Sequence, residues 1–302
     1  MTLANAHTHL EFSTRERLLP DPSCSFAEWI VRVATDNDRV PPEDYAIACE
    51  KGVIELARCG TTQVGDFSKT GGCLPYLIEY GLTGIVWIQV LGERMEKGLL
   101  KLERARRIID LNRGRASNSS IEMGLGVHSP YSLNPNLWEP ALRYAEAESL
   151  SLCIHVAESP SEWELFVRGT GPHRELEKAL DLPAFPCPNM SPISYLHKLG
   201  ALQFSPYLVH AVHVDDEDID LIQKSRSRVV HCPRSNQRLE CGRMPLERYV
   251  AKNVDVLIGT DSRASSPSLD VREEMEFART LHKEVVDAKI VEEMIRRSLV
   301  SV

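Results

Sequence analysis

A (β/α)₈ barrel, an α/β fold of eight parallel strands wrapped by helices, is what this sequence predicts, on three observations. The chain is 302 residues long, where such a barrel takes ~250. It carries eight short apolar runs, and amphipathic stretches separate most of them. Residues 1–302 are therefore read as one domain. A hydrophobic content of 43% with 26% charged residues supplies a large core and argues against disorder.

Taken in order, the predicted strands are Leu3–His7, Thr62–Phe67, Gly84–Val90, Glu122–His128, Ser151–Val156, Pro206–Val212, Arg228–Cys232 and Val254–Gly259. Most are rich in Val, Ile, Leu and Cys, the composition of strands covered on both faces. The predicted helices are Ser25–Ala34, opened by a good capping residue, then Pro42–Arg58, Lys97–Leu111, Asn136–Ser149, Ile193–Leu199, Asp216–Lys224, Leu246–Lys252 and Ile290–Val300. Alternation of this kind implies parallel strands with helical crossovers. Eight units imply closure into a barrel. The proline-dense stretch Pro183–Pro192 reads as an ordered loop between units five and six. No internal repeat, low-complexity tract or clear linker interrupts the series.

Bulk properties exclude several classes of function. A net charge of -8 argues against a nucleic-acid surface, though it is compatible with a small anionic substrate bound by local arginines. No apolar run reaches the ~20 residues that span a bilayer. The eight cysteines include no C-x-x-C pair, so a disulfide framework is not expected and a reducing cytoplasm is. The short, uncharged stretch before the first motif predicts no targeting segment.

Polar residues collect where the predicted strands end, which in a barrel is the catalytic face. Strand one ends in NAHTHLEFS, and His7 and His9 at i and i+2 share a face. Two imidazoles so placed reach one metal ion; the plainer alternative is a pair of polar turn residues. Strand five ends in IHVAES. There His155 is a metal-ligand type and Glu158 a candidate proton shuttle, or else a core histidine and a surface acid. Strand six ends in LVHAVHV, with His210 the functional candidate and His213 the structural one. Strand eight ends in VLIGTDSRASS, where Asp261 is a ligand, a base or a helix cap.

As an ordered set, NAHTHLEFS, GVHSPYSLNP, IHVAES, LVHAVHV, HCPRSN and LIGTDSRAS followed by LDVREEM resembles the amidohydrolase superfamily. The match is to the branch of adenosine deaminase-like, S-adenosylhomocysteine deaminase-like and chlorohydrolase-like enzymes, and it runs from residue 5 to about residue 276. The resemblance implies one divalent ion per chain, zinc or iron, held by His7, His9, His155 and Asp261. It implies that His210 holds or deprotonates the attacking water, that Asp261 also accepts a proton from it, and that Glu158 protonates a ring nitrogen of the substrate. His128, in GVHSPYS, becomes a substrate contact. NAHTHLEFS with the segment Phe26–Ile30 is also similar to the aminodeoxyfutalosine deaminases of menaquinone biosynthesis, whose 6-aminopurine nucleoside carries a benzoate. Arg234 and Arg263 are the candidates to pair with such a carboxylate, or else rim arginines bonded to loop carbonyls.

Hydrolytic deamination is thus the leading expectation. A dechlorinase or cyclic amide or amidine hydrolase would use the same attacking water with another leaving group. A barrel without catalysis, serving as a binding protein, is the third reading. Relatives in this branch carry strands before H-x-H and after the last helix that form a small β-sandwich. Here H-x-H begins at His7, so a barrel lacking that sandwich is expected, with a flank left free for a homo-oligomer contact. No C-x-x-C zinc-deaminase signature or G-x-S-x-G elbow competes. Weaker candidates are Glu11, as a partner to a ligand histidine or a helix start, and His231, as pocket lining or packing. Trp29 and Trp163 are pocket walls or core. His173, His197 and His282 receive no role.

Overall fold

The computed structural model describes residues 2–21 and 24–300. Its strands are β1 (Ala4–Thr8), β2 (Gln63–Ser68), β3 (Thr83–Val90), β4 (Ile121–Val127), β5 (Leu152–Val156), β6 (Tyr207–His210), β7 (Arg228–His231) and β8 (Val256–Ile258). Each pairs in parallel with the next. A parallel bridge between Thr8 and Asp261 joins the last unit to the first, and the Asp261 amide donates to the His7 carbonyl at 3.0 Å. The predicted (β/α)₈ barrel is the observed fold.

Side chains along each strand alternate between two apolar environments. Ile85 and Trp87 of β3 join Ala4, Phe67, Val209 and Leu257 in the barrel interior, whereas Val86 and Ile88 pack outward with the helices. Burial on both faces is why these strands read as nearly unbroken apolar runs. One interior position is small for a reason: a Cβ on Gly126 would lie 2.5 Å from the Phe67 ring. The missing side chain leaves room for Phe67, whose ring centroid is 4.7 Å from that of His155. Core packing therefore reaches the floor of the site.

Helix Pro42–Arg58 forms as predicted, and Phe26–Asn37 starts at a Ser25–Glu28 capping box. Helix Met95–Ser117 extends beyond the predicted Lys97–Leu111. The last helix is Ala288–Met294 and stops short of the predicted Val300. Five helices lie outside the prediction: Leu74–Glu79, Pro160–Arg168, His173–Ala179, Pro233–Arg238 and Val271–His282. Four of them have nine residues or fewer, and Val271–His282 is dominated by charge. Strand β6 ends at His210 rather than Val212, because His210 and Ala211 adopt φ of 72° and 45°. That left-handed backbone breaks the strand and turns the chain over the barrel mouth.

Candidate metal centre and active site

Strand ends β1, β5 and β8 bring four ligand-type side chains to one point. The Nε2 atoms of His7 and His9 are 3.1 Å apart, and His155 Nε2 lies 3.1 Å from the first and 3.3 Å from the second. Asp261 Oδ1 lies 3.3 Å from His9 Nε2 and 3.6 Å from His7 Nε2. Imidazole nitrogens ~2.0–2.1 Å from a tetrahedral ion stand ~3.3–3.4 Å from one another. These separations match a chelating set.

Protonation points the same way. Burial lowers the His7 ring to about 4 and holds His155 well below its ordinary value, with the neighbouring histidines adding to the effect. Both rings are therefore neutral near pH 7. His155 Nδ1 donates to the His128 carbonyl at 2.7 Å, which fixes the tautomer and leaves the Nε2 lone pair facing the cluster. Lone pairs crowded this closely repel unless a cation lies among them. Burial acts to raise the Asp261 carboxyl, but the facing His7 and His9 rings outweigh it and hold the group well below the usual carboxylate range. Its second oxygen, Oδ2, accepts from Ser235 and Ser265 hydroxyls at 2.7 Å each. Those bonds aim Oδ1 at the imidazoles.

Glu158 and His210 face each other beside this cluster, Oε1 to Nε2 at 3.3 Å. Burial pushes the Glu158 carboxyl well above its ordinary value, and the charges of Asp261 and Glu162 add to the effect. Burial thus favours the protonated form of this carboxyl, the form that can donate a proton. Its direction is set by the turn at Ala157, which has φ 51°. Glu162 accepts from the backbone amides of Ala157 at 3.0 Å and Glu158 at 2.8 Å and holds that turn. His210 is also kept neutral by burial. Its Nδ1 donates to Asn236 Oδ1 at 2.8 Å, so Nε2 is the free acceptor. His128 is lowered to about 3, chiefly by burial, and its Nδ1 meets Ser132 Oγ at 3.2 Å.

A cavity of about 90 Å³ joins these groups, lined by His9, His128, His155, Glu158, His210 and Asp261 and walled by Phe12, Trp29, Ile30, Val33, Asn37 and Tyr131. Trp29 closes the wall by donating Nε1 to the Leu18 and Ala264 carbonyls at 3.1 Å each. Ligand pockets commonly measure ~300–1,000 Å³, so the cavity in this conformation is a small one.

Seven of the nine candidates from the sequence thus converge: His7, His9, His128, His155, Glu158, His210 and Asp261. Arg234 and Arg263 do not line this cavity, which corrects their expected placement. Helix Pro233–Arg238 turns Arg234 outward, where it binds Glu273 and Glu274 at 2.6 Å each. Arg263 lies between Glu16 at 3.2 Å and Glu55 at 3.7 Å. His213 is structural, its Nε2 on the Cys241 carbonyl at 2.6 Å. Glu11 anchors the loop after β2, accepting from the Lys69 and Thr70 amides at 2.8 Å each. His231 packs outward onto His282, Nε2 to Nε2 at 3.2 Å, and Trp163 is absent from the lining. The sequence reading missed Asn236 and Ser235, although both lie within HCPRSN beside the conspicuous arginine.

The amidohydrolase family pattern matches residues 2–295. The chain is similar to the aminodeoxyfutalosine deaminase of Deinococcus radiodurans, 34% identical over 288 residues, 92% of this chain and 67% of the relative. It is also similar to the 5′-deoxyadenosine deaminase of Methanothermobacter thermautotrophicus, 30% identical over 291 residues, 93% of this chain and 62% of the relative. It therefore spans roughly two thirds of the length of these relatives. A crystal structure of Helicobacter pylori aminofutalosine deaminase with methylthio-coformycin matches with a TM-score of 0.85 at 22% identity, over 97% of this chain and 70% of that one. That likeness speaks for the fold.

Proposed function

The chain belongs to the amidohydrolase family, and on that premise we propose that it is a metal-dependent aminohydrolase that deaminates a 6-aminopurine nucleoside. One observation carries the reading. The Glu158 carboxyl and the His210 imidazole, 3.3 Å apart, open on one cavity with His9, His155 and Asp261, three of the four members of the chelating set. The candidate substrate is aminodeoxyfutalosine, by analogy with the relative of that activity, and the candidate ion is zinc or iron.

His7, His9, His155 and Asp261 would hold the ion, which when bound supplies a water acidified from a pKa of ~15.7 towards 7. The remaining work falls to the chain's own groups. His210 Nε2, its tautomer fixed by Asn236, accepts a proton from the attacking water. Glu158 donates its proton to the ring nitrogen beside the aminated carbon, so negative charge does not accumulate there. Asp261 Oδ2, kept in place by Ser235 and Ser265, confines that carboxylate to one orientation. His128 contacts the ring from the end of β4. A C–O bond forms; the C–N bond breaks as the amino group takes up the proton held by His210 and leaves as ammonia; the remaining hydroxyl proton returns to Glu158, and one water is consumed.

The test joins elemental mass spectrometry of the purified chain to an ammonia-release assay on 6-aminopurine nucleosides. About one zinc or iron per chain is expected. Glu158→Gln should keep that metal and lose about 10²–10⁴-fold in kcat; full activity of the variant would overturn the assigned role. A clear preference for adenosine over aminodeoxyfutalosine would overturn the finer substrate assignment.

A further inference from the structure

Three groups of the floor are aimed by a hydrogen bond to the side chain itself: His155 by the His128 carbonyl, His210 by Asn236 and Asp261 by two serines. The H-x-H pair is not. His7 Nδ1 is buried without a partner. Among the described residues, the His9 ring makes polar contacts only through Nε2. A ligand histidine usually owes its orientation to a partner on its other ring nitrogen. These two rings instead take their aim from the backbone that carries them.

That backbone is held closely. β1 slips by one residue against β2 between Asn5 and Thr8. The slipped segment runs between two glycines: a Cβ on Gly65 would lie 2.4 Å from the Ala6 carbonyl oxygen, and one on Gly259 would lie 2.7 Å from the His7 amide nitrogen. Past the slip, one side chain of β2 takes over. Asp66 Oδ1 accepts from the residues on both sides of His9, the Thr8 hydroxyl at 3.0 Å and the Leu10 amide at 2.8 Å. The same hydroxyl also reaches the Gly65 carbonyl at 3.1 Å, and Thr8 is bridged to Asp261. Asp66 Oδ2 accepts from the Cys73 thiol at 2.9 Å, which keeps the carboxylate from turning. Thr8, Leu10, Asp66 and Cys73 are all wholly buried, so water does not replace these bonds.

Glu11 returns the tie, holding the Lys69 and Thr70 amides after β2. Two buried carboxylates thus cross-link the ends of β1 and β2. The strand ladder alone joins these strands, and a buried carboxylate adds a desolvation cost. What Asp66 adds in return is a fixed backbone on both sides of one ligand.

We propose that Asp66 is a positioning residue for the metal centre: by holding Thr8 and Leu10 it fixes the direction of His9 toward the ion and so sets the affinity of the site. Asp66 touches neither ion nor substrate in this role, which rests on the metal centre assigned above to His7, His9, His155 and Asp261.

The test is the zinc dissociation constant of the folded chain, read by competition with a chelator well below the melting temperature of the metal-free protein. Asp66→Ala removes the acceptor and should weaken zinc about 10- to 100-fold, the usual cost of losing an outer partner of a ligand histidine. Asp66→Asn keeps an oxygen facing Thr8 and the Leu10 amide, which can only donate, and should stay within about threefold of wild type. Thr8→Val removes one of the two donors and should cost about 2- to 10-fold. A tie that is merely structural would lower the metal-free melting temperature of Asp66→Ala and leave its zinc constant unmoved, which would overturn the proposal. Equal weakening in Asp66→Asn and Asp66→Ala would also overturn it, because charge and not the clamp would then set the affinity. A wild-type chain that takes up no zinc would overturn the metal centre itself, and this role with it. If Asp66→Ala does not fold, Thr8→Val decides: weakened zinc supports the clamp, and a wild-type constant overturns it.

Discussion

At the floor of the cavity, His7, His155, His210 and Asp261 stand on or just beyond strand ends. Across from them, Trp29, Ile30, Val33 and Asn37 come from one helix laid over the barrel mouth. The floor carries backbone strain: Ala157, His210, Ala211 and Asp261 all have positive φ, between 45° and 72°. Such residues cost about 1–3 kcal/mol each and persist only when their surroundings over-determine them. Here the surroundings do, through Glu162 on the Ala157 turn, Asn236 on His210, and Ser235 with Ser265 on Asp261. The wall is an ordinary capped helix held over the mouth by Trp29 hydrogen bonds and by Arg15–Asn37. Of these two regions, the strained backbone lies on the floor, and the wall helix Phe26–Asn37 has no residue of positive φ.

This division predicts a gradient of effects. The largest belongs to the chelating set. His155→Ala should abolish retained metal and cost several kcal/mol of transition-state stabilisation, about a thousand-fold or more in kcat. Zinc should raise the melting temperature of the wild-type chain, since an ion that binds only the folded state adds stability by mass action, and should leave that of His155→Ala unmoved. A wild-type melting curve insensitive to zinc and iron would remove the metal centre from the floor. Next comes the support of the base. Asn236→Ala frees the His210 ring to adopt the other tautomer and should lower kcat about 10- to 100-fold, by analogy with partners of metal-ligating histidines, with metal content unchanged. Loss of metal together with rate would show that the whole floor, and not only His210, depends on that amide.

The floor was legible in the sequence where its logic is local. His7 and His9 share a face because strand side chains repeat every two residues, and His155, His210 and Asp261 end apolar runs. Two of the supports were not, because they act across a distance in sequence. Asn236 meets a ring 26 positions away, and Ser235 meets Asp261 26 positions away in the other direction. Arg234, between the same motif letters, attracts attention by its charge, yet Glu274, wholly buried beneath it, draws it outward. The barrel itself was readable from eight apolar runs. Helix Val271–His282 was not, since its charged first turn masks the apolar face formed by Val271, Met275 and Ala278. On the wall, Phe26–Ile30 pointed to the right helix.

The smallest expected effect probes the wall alone. Trp29→Phe keeps an aromatic ring against Phe26, whose centroid is 6.3 Å away, but removes the indole N–H that two carbonyls share. Leaving those carbonyls without a donor should lower stability by about 1–2 kcal/mol. It should also loosen the attachment of helix Phe26–Asn37 to the loops after β1 and β8. Because that helix supplies shape and no proton, kcat and metal content should stay near wild type while KM shifts by a few-fold, roughly the effect of one lost hydrogen bond. The direction of the shift is informative. Around a cavity of about 90 Å³, a loosened wall should lower KM for bulky nucleosides and raise it for small ones. A fall in kcat equal to that of Asn236→Ala would mean that the wall helps to aim the floor, and the separation between the two regions would not hold.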